Sequence, residues 1–117
     1  MVLVDSSVWV DHFHRTDARL VELLEAGEVV THSLVIGELA CGQLAHRRTT
    51  LALLHALPRV PEASTAEVLS LIEHRRLSGL GLGIVDVHLL AAASLADATL
   101  WTKDRALAGA ADRLGLS

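Results

Sequence analysis

The sequence predicts an α/β sandwich on a mainly parallel sheet, and three observations carry that expectation. Strand-like and helix-like stretches alternate along all 117 residues, the pattern of helices laid over a parallel sheet. The chain begins on a short apolar run, Val2 to Val4, that stops at a carboxylate, Asp5, as a buried strand does where it reaches the rim of a sheet. Ile84 to Ala96 is apolar nearly all round, which in a protein this small means a central, enclosed helix. The length suits one compact domain, residues 1–117, and leaves no room for a second.

Taken in order, Val2–Val4 is the first strand. Asp17 can cap a helix that carries Leu20, Leu23 and Leu24 and stops at Gly27, a residue suited to a helix end. The β-branched run Val29 to Thr31 is a second strand. Ser33 then caps a helix expected from Leu34 to about Arg47. Thr49 to Leu57 is a further helix, ended by Pro58, and "RVP" is a short strand closed by Pro61. Ser64, with Glu67 three residues on, has the capping-box pattern for a helix reaching about Ser78. "GLGLG" is a break, Ile84–Ala96 the buried helix, Thr99–Thr102 a strand, and a last helix starts near Asp104.

Composition narrows the classes. Hydrophobic residues make up 51% of the chain and mean hydropathy is +0.43, yet no uninterrupted apolar run nears the ~20 residues of a membrane span. Asp5 interrupts the first apolar stretch, so no secretory leader is expected. A single cysteine, Cys41, cannot form an internal disulfide and is read as a small buried helix residue, in keeping with a cytoplasmic location. The net charge of -4 and pI near 5.9 exclude a strongly basic, nonspecific nucleic-acid binder. They leave open a nucleic-acid enzyme whose acidic site lowers the total.

Sites in open parallel sheets form at the carboxyl ends of the strands. Asp5 ends the first strand and Asp104 follows the last, so two acids stand on that rim. Each also has an ordinary role, a turn for Asp5 and a helix cap for Asp104. At 100° per residue, Glu38 falls on a face with Leu34, Val35, Cys41, Gly42 and Ala45, and Asp86 lies beside Leu89, Leu90 and Ala93. A carboxylate on an apolar stripe neutralises, pairs, caps a helix or binds a cation, because leaving it buried and ionised costs several kcal/mol. Were the four to converge, repulsion would raise at least one pKa unless a metal neutralised them. Hard oxygen ligands suit Mg²⁺ or Mn²⁺ rather than Zn²⁺. Two such ions about 4 Å apart serve phosphodiester hydrolysis.

The stretches "VLVDSSVWVD", "SLVIGELACG" and "GLGIVDVHLLAAASLADATLWTKDRAL" resemble a PIN-domain ribonuclease over essentially the whole chain, and more closely the VapC-type toxins of bacterial toxin–antitoxin pairs. The resemblance implies a PIN-like three-layer sandwich. It maps the family's metal-binding and catalytic acids onto Asp5, Glu38, Asp86 and Asp104, and its supporting hydroxyls onto Ser6 or Ser7 and onto Thr102. It implies Mg²⁺- or Mn²⁺-dependent endonucleolytic cleavage of RNA that leaves a 5′-phosphate and a 3′-hydroxyl. A homodimer and a VapB-type antitoxin, packing an amphipathic helix over the site, are the partners it implies. One departure stands out, since "RALAGAADRLGLS" after Asp104 lacks the aromatic residue expected there.

Other features carry less. His12 and His14 lack a further ligand at a zinc-like spacing. No glycines frame Ser7 as a nucleophile elbow. Trp9 belongs to the core or an interface, and "GLGLG" lacks the Lys and hydroxyl of a phosphate loop. Arg47–Arg48 and Arg75–Arg76 are solvated helix ends or phosphate contacts, while Arg15, Lys103 and Arg105 lie closer in sequence to the acids. Two other functions compete. A receiver-type phosphoacceptor domain needs an Asp after its third strand, where this chain has "RVPEAS". A PIN-like module that has lost activity and only binds is opposed by the presence of all four acids.

Overall fold

Three short strands form the sheet in the computed structural model, which describes residues 1–117. Strand β1 (Val2–Val4) lies between β2 (Val29–Val30) and β3 (Thr99–Trp101), and both pairings are parallel. Leu3 sits opposite Val30 on one side and Leu100 on the other. Parallel sheets covered on both faces use continuous apolar strands rather than alternating ones. Here Leu3 and Val4, whose side chains point to opposite faces, are both fully buried.

The helices are α1 (Ser6–His14), α2 (Ala18–Glu25), α3 (Ser33–Cys41), α4 (Arg47–Ala56), α5 (Thr65–Arg75), α6 (Ile84–Ala96) and α7 (Arg105–Arg113). Layered over the sheet, they complete the three-layer α/β sandwich with a parallel central sheet. One continuous apolar core runs through it, with Val8 of α1, Leu20 of α2, Val35 of α3, Leu89 and Leu90 of α6 and Leu107 of α7 all at 0% exposure. Within α6, six of its residues from Val87 to Ala93 are buried, the enclosure its composition implied. The capping box at Ser64 forms as expected, with Glu67 N–H donating to Ser64 Oγ at 3.1 Å and Ser64 N–H to Glu67 Oε1 at 2.9 Å.

Several local expectations are corrected. Helix α1 was not anticipated: Val8 and Val10 are β-branched and histidines close its last turn, so propensity is weak, and burial of Val8 and Trp9 supplies the stabilisation instead. The helix expected from Leu34 to Arg47 ends at Cys41, where Gly42 is extended and Arg47 of the next helix donates to Ala40 O at 2.6 Å and Gly42 O at 3.1 Å. His32, not Ser33, is the N-cap of α3, its Nδ1 accepting from Leu34 N–H at 3.0 Å. Cys41 is exposed rather than buried. "RVP" reaches the sheet only through a single bridge from Arg59 to Thr31.

Candidate active site

Parallel register fixes where the rim acids stand. Val4 pairs with Trp101, and Asp5 N–H donates to Trp101 O at 2.9 Å, so the chain leaving β1 and the chain leaving β3 emerge side by side. Asp5 is 6% exposed. Its Oδ2 accepts from Ser7 Oγ at 2.8 Å and from Thr102 Oγ1 at 2.7 Å. Both hydroxyl protons being used there, the 3.3 Å approach of Ser7 Oγ to Thr102 Oγ1 is proximity. The lone pairs on those hydroxyls accept in turn: Ser7 Oγ from Lys103 N–H at 3.0 Å, Thr102 Oγ1 from Asp104 N–H at 3.1 Å. Asp5, the first turn of α1 and the turn after β3 are thereby tied into one polar unit.

The ambiguity between the two serines resolves into two tasks. Ser7 holds Asp5, whereas Ser6 Oγ donates to Glu38 Oε1 at 3.0 Å. Glu38 does not lie on the buried stripe of α3, which consists of Val35, Ile36 and Leu39, but on the open side toward α1. Asp86 is half-buried at the third position of α6, with Oδ2 accepting Gly83 N–H at 2.9 Å. Asp104 caps α7 through Oδ2 and Leu107 N–H at 3.3 Å. The capping roles foreseen for Asp86 and Asp104 are therefore present, and none of the four acids forms a salt bridge.

Two further properties unite them. Asp5 precedes α1, Asp86 stands in the first turn of α6 and Asp104 precedes α7, so three of the four acids lie at helix N-termini, where the backbone dipole favours negative charge by about 0.3–1 kcal/mol. Each carboxylate is also anchored through one oxygen and leaves the other without a protein partner. Their fields overlap. Partial burial around the carboxyl raises the pKa of Glu38, helped by Asp5 and Asp86 and opposed by Ser6. Burial likewise raises that of Asp86, with Asp104 and Asp5 adding to it and the Gly83 hydrogen bond opposing. As placed, no three His, Cys, Asp or Glu side chains are close enough to hold a metal ion, and four like charges repel across such a gap.

The PIN domain model matches residues 2–113. This chain belongs to the PIN-domain family. Ribonuclease VapC32 of Mycobacterium tuberculosis, in strain CDC 1551 / Oshkosh and in strain ATCC 25618 / H37Rv, is 47% identical over 118 residues, covering 100% of this chain and 95% of the relative. The PIN domain described here is thus closely related to VapC ribonucleases, and the match extends over the whole chain.

Sequence reasoning missed two features of this PIN domain. Lys103 supplies a backbone N–H to Ser7 while its Nζ pairs with Asp11 at 2.8 Å, clamping the turn after β3 to α1. Asp11 and Lys103 are 92 residues apart, and nothing local in the sequence joins them. Beside Glu38 a groove of about 990 Å³ opens between α1, α3 and α4, lined by Val10, Phe13, Leu39 and Arg47 among others. His12, by contrast, is spent on accepting Asp17 N–H at 3.0 Å, and no helix is long and apolar enough to cross a membrane.

Proposed function

We propose that this PIN domain is a metal-dependent endoribonuclease of the VapC type, a toxin held in check by a VapB-type antitoxin. The observation that carries the reading is the set Asp5, Glu38, Asp86 and Asp104, each pinned through one oxygen with the other left free. This donor set fits Mg²⁺, with Mn²⁺ able to substitute: all the donors are hard oxygens, no Arg or Lys neutralises them, and burial together with neighbouring carboxylates raises the pKa of two of them. When bound, the metal would supply a nucleophilic water at neutral pH and stabilise the departing oxygen. Asp5 and Asp86 would hold it first, with Glu38 and Asp104 completing the site. Ser7, Thr102 and Ser6 would keep the carboxylates aimed. Because these oxygens stand apart, binding requires the free ones to move inward.

The partners follow from the same reading. Val10 (43% exposed) and Phe13 (41% exposed) border the groove beside Glu38, a fit for the apolar face of an antitoxin helix that would also cover the acids. A homodimer would shelter Leu69, Ile84 and Leu95, each more than half exposed on α5 and α6. The test is cleavage of structured RNAs, tRNAs included, in Mg²⁺, in Mn²⁺ and with a chelator. Wild type cuts in either metal, and chelation or Asp5→Asn abolishes cutting; equal cleavage by the mutant or the chelated protein contradicts the site.

A further inference from the structure

The C-terminal ends of α5 and α7 gather cations in a protein whose net charge is -4. His74, Arg75 and Arg76 close α5, and Arg113, the last residue of α7, reaches across to them. Its Nη2 donates to the carbonyl oxygens of Arg75 and Arg76, the latter at 3.3 Å. All four side chains are exposed, and three of the protein's ten Lys and Arg residues meet here. The adjacent acids Glu73 and Asp112 make no salt bridge with them. His74 is turned back on its own helix, its Nδ1 within 3.0 Å of Ser70 O.

The helix dipole explains one cation in the last turn of α5. It does not explain three. Capping the open carbonyls needs only the N–H groups of Arg113, yet the cap brings its guanidinium onto the backbone of two further exposed arginines, none of the three in a salt bridge. Arg76 adds a conformational cost: it sits in the left-handed region at φ 54 and ψ 54, where glycine is the residue usually found at a helix end. Like charges gathered without an internal counterion are available to an external anion.

We infer that Arg75, Arg76 and Arg113 form a docking site for the RNA backbone, separate from the acids. The inference rests on the ribonuclease reading for its choice of polyanion. Along α7, nine residues at about 1.5 Å each separate the Asp104 end from the Arg113 end, the span of roughly four stacked nucleotides at ~3.4 Å apiece. A strand whose scissile phosphate lies at the acids would place phosphates a few nucleotides away on the arginines. Such contacts position a substrate without reading its bases.

The test uses the full chain carrying Asp5→Asn, so that RNA is not consumed, and follows anisotropy of a fluorescein-labelled 12-nucleotide single-stranded RNA across salt concentrations. In that background Arg75→Gln with Arg76→Gly removes two charges while leaving Arg113 to cap α5. Glycine suits the left-handed position, so the melting temperature is held or raised. The expected result is weaker binding at every sequence tried, with the slope of log K against log salt shallower by about 0.7 per charge removed. Arg19→Gln with Arg59→Gln changes net charge equally elsewhere and serves as control. An unchanged slope in the first pair, or an equal loss in the control pair, overturns the docking site. Cleavage by the parent chain is measured alongside: a parent that cuts RNA while the slope is unchanged refutes the docking site alone. A parent that never cuts, with binding that still depends on Arg75 and Arg76, refutes the nuclease reading alone.

Discussion

Asp5 shows how much chemistry a single position carries. As the residue before α1 it could cap that helix, but its side chain makes no cap hydrogen bond, and one oxygen is committed to two hydroxyls. Ser7→Ala would leave Asp5 on Thr102 alone and Lys103 N–H unpartnered, and a loss of about tenfold or more in Mg²⁺ affinity or cleavage rate is expected, measurable by calorimetry and single-turnover assays. Ser6→Ala acts differently. The Ser6 hydrogen bond opposes the upward push on the Glu38 pKa, so its removal moves the acidic limb of the pH–rate profile to higher pH.

Asp86 permits a sign test at the same scale. Carboxyl groups whose folded pKa is raised add stability that is present below their ordinary values, 4.5 for Glu38 and 3.8 for Asp86, and is lost as pH rises through the raised folded ones. At pH 7 without metal, Asp86→Asn keeps the acceptor for Gly83 N–H and removes a repelled charge, so it should melt at or above wild type. With Mg²⁺ present the order reverses, because only the wild type gains the metal's binding energy. Melting curves in a chelator and in Mg²⁺ read the crossover directly.

At the scale of elements, legibility tracked how local the determining interaction was. Ser64 and Glu67 form their capping box between neighbours in sequence, and the pattern was readable; Ser64→Ala is expected to cost about 1 kcal/mol in a denaturant titration. Asp104 as a cap and the enclosed character of α6 were readable for the same reason. Helix α1 was not, because burial of Val8 and Trp9 against distant elements overrides its weak propensity. The end of α3 was obscured too, since it depends on Arg47 folding back to Ala40 and Gly42 from the next helix. For Glu38 the helical wheel put the carboxylate on the apolar stripe, whereas the buried stripe of α3 is Val35, Ile36 and Leu39 and Glu38 is exposed, because a wheel does not say which side of the helix faces the core.

For the whole molecule, the parallel sheet brings together acids that are far apart in the chain. The alternation of elements made this class of fold legible, whereas the Ser6–Glu38, Thr102–Asp5 and Lys103–Asp11 contacts required the three-dimensional register. Helix α6 links the core to the candidate site: its first turn carries Asp86 and it continues through fully buried Leu89 and Leu90. Leu89→Ala should therefore cost about 2–5 kcal/mol of folding stability through lost burial and a residual cavity, seen as a lower denaturation midpoint with an unchanged m-value.

Whether the four separated carboxylates bind one metal together can be measured directly. Substoichiometric Mn²⁺ is titrated into ¹⁵N-labelled protein and the paramagnetic broadening of each amide is followed. Loss of signal centred on residues 5–7, 38, 83–86 and 102–104, reversed by Mg²⁺ and weakened in Asp5→Asn, is the expected result. Broadening centred on the exposed acids of α2, Glu22 and Glu25, or broadening that Asp5→Asn leaves untouched, would contradict it.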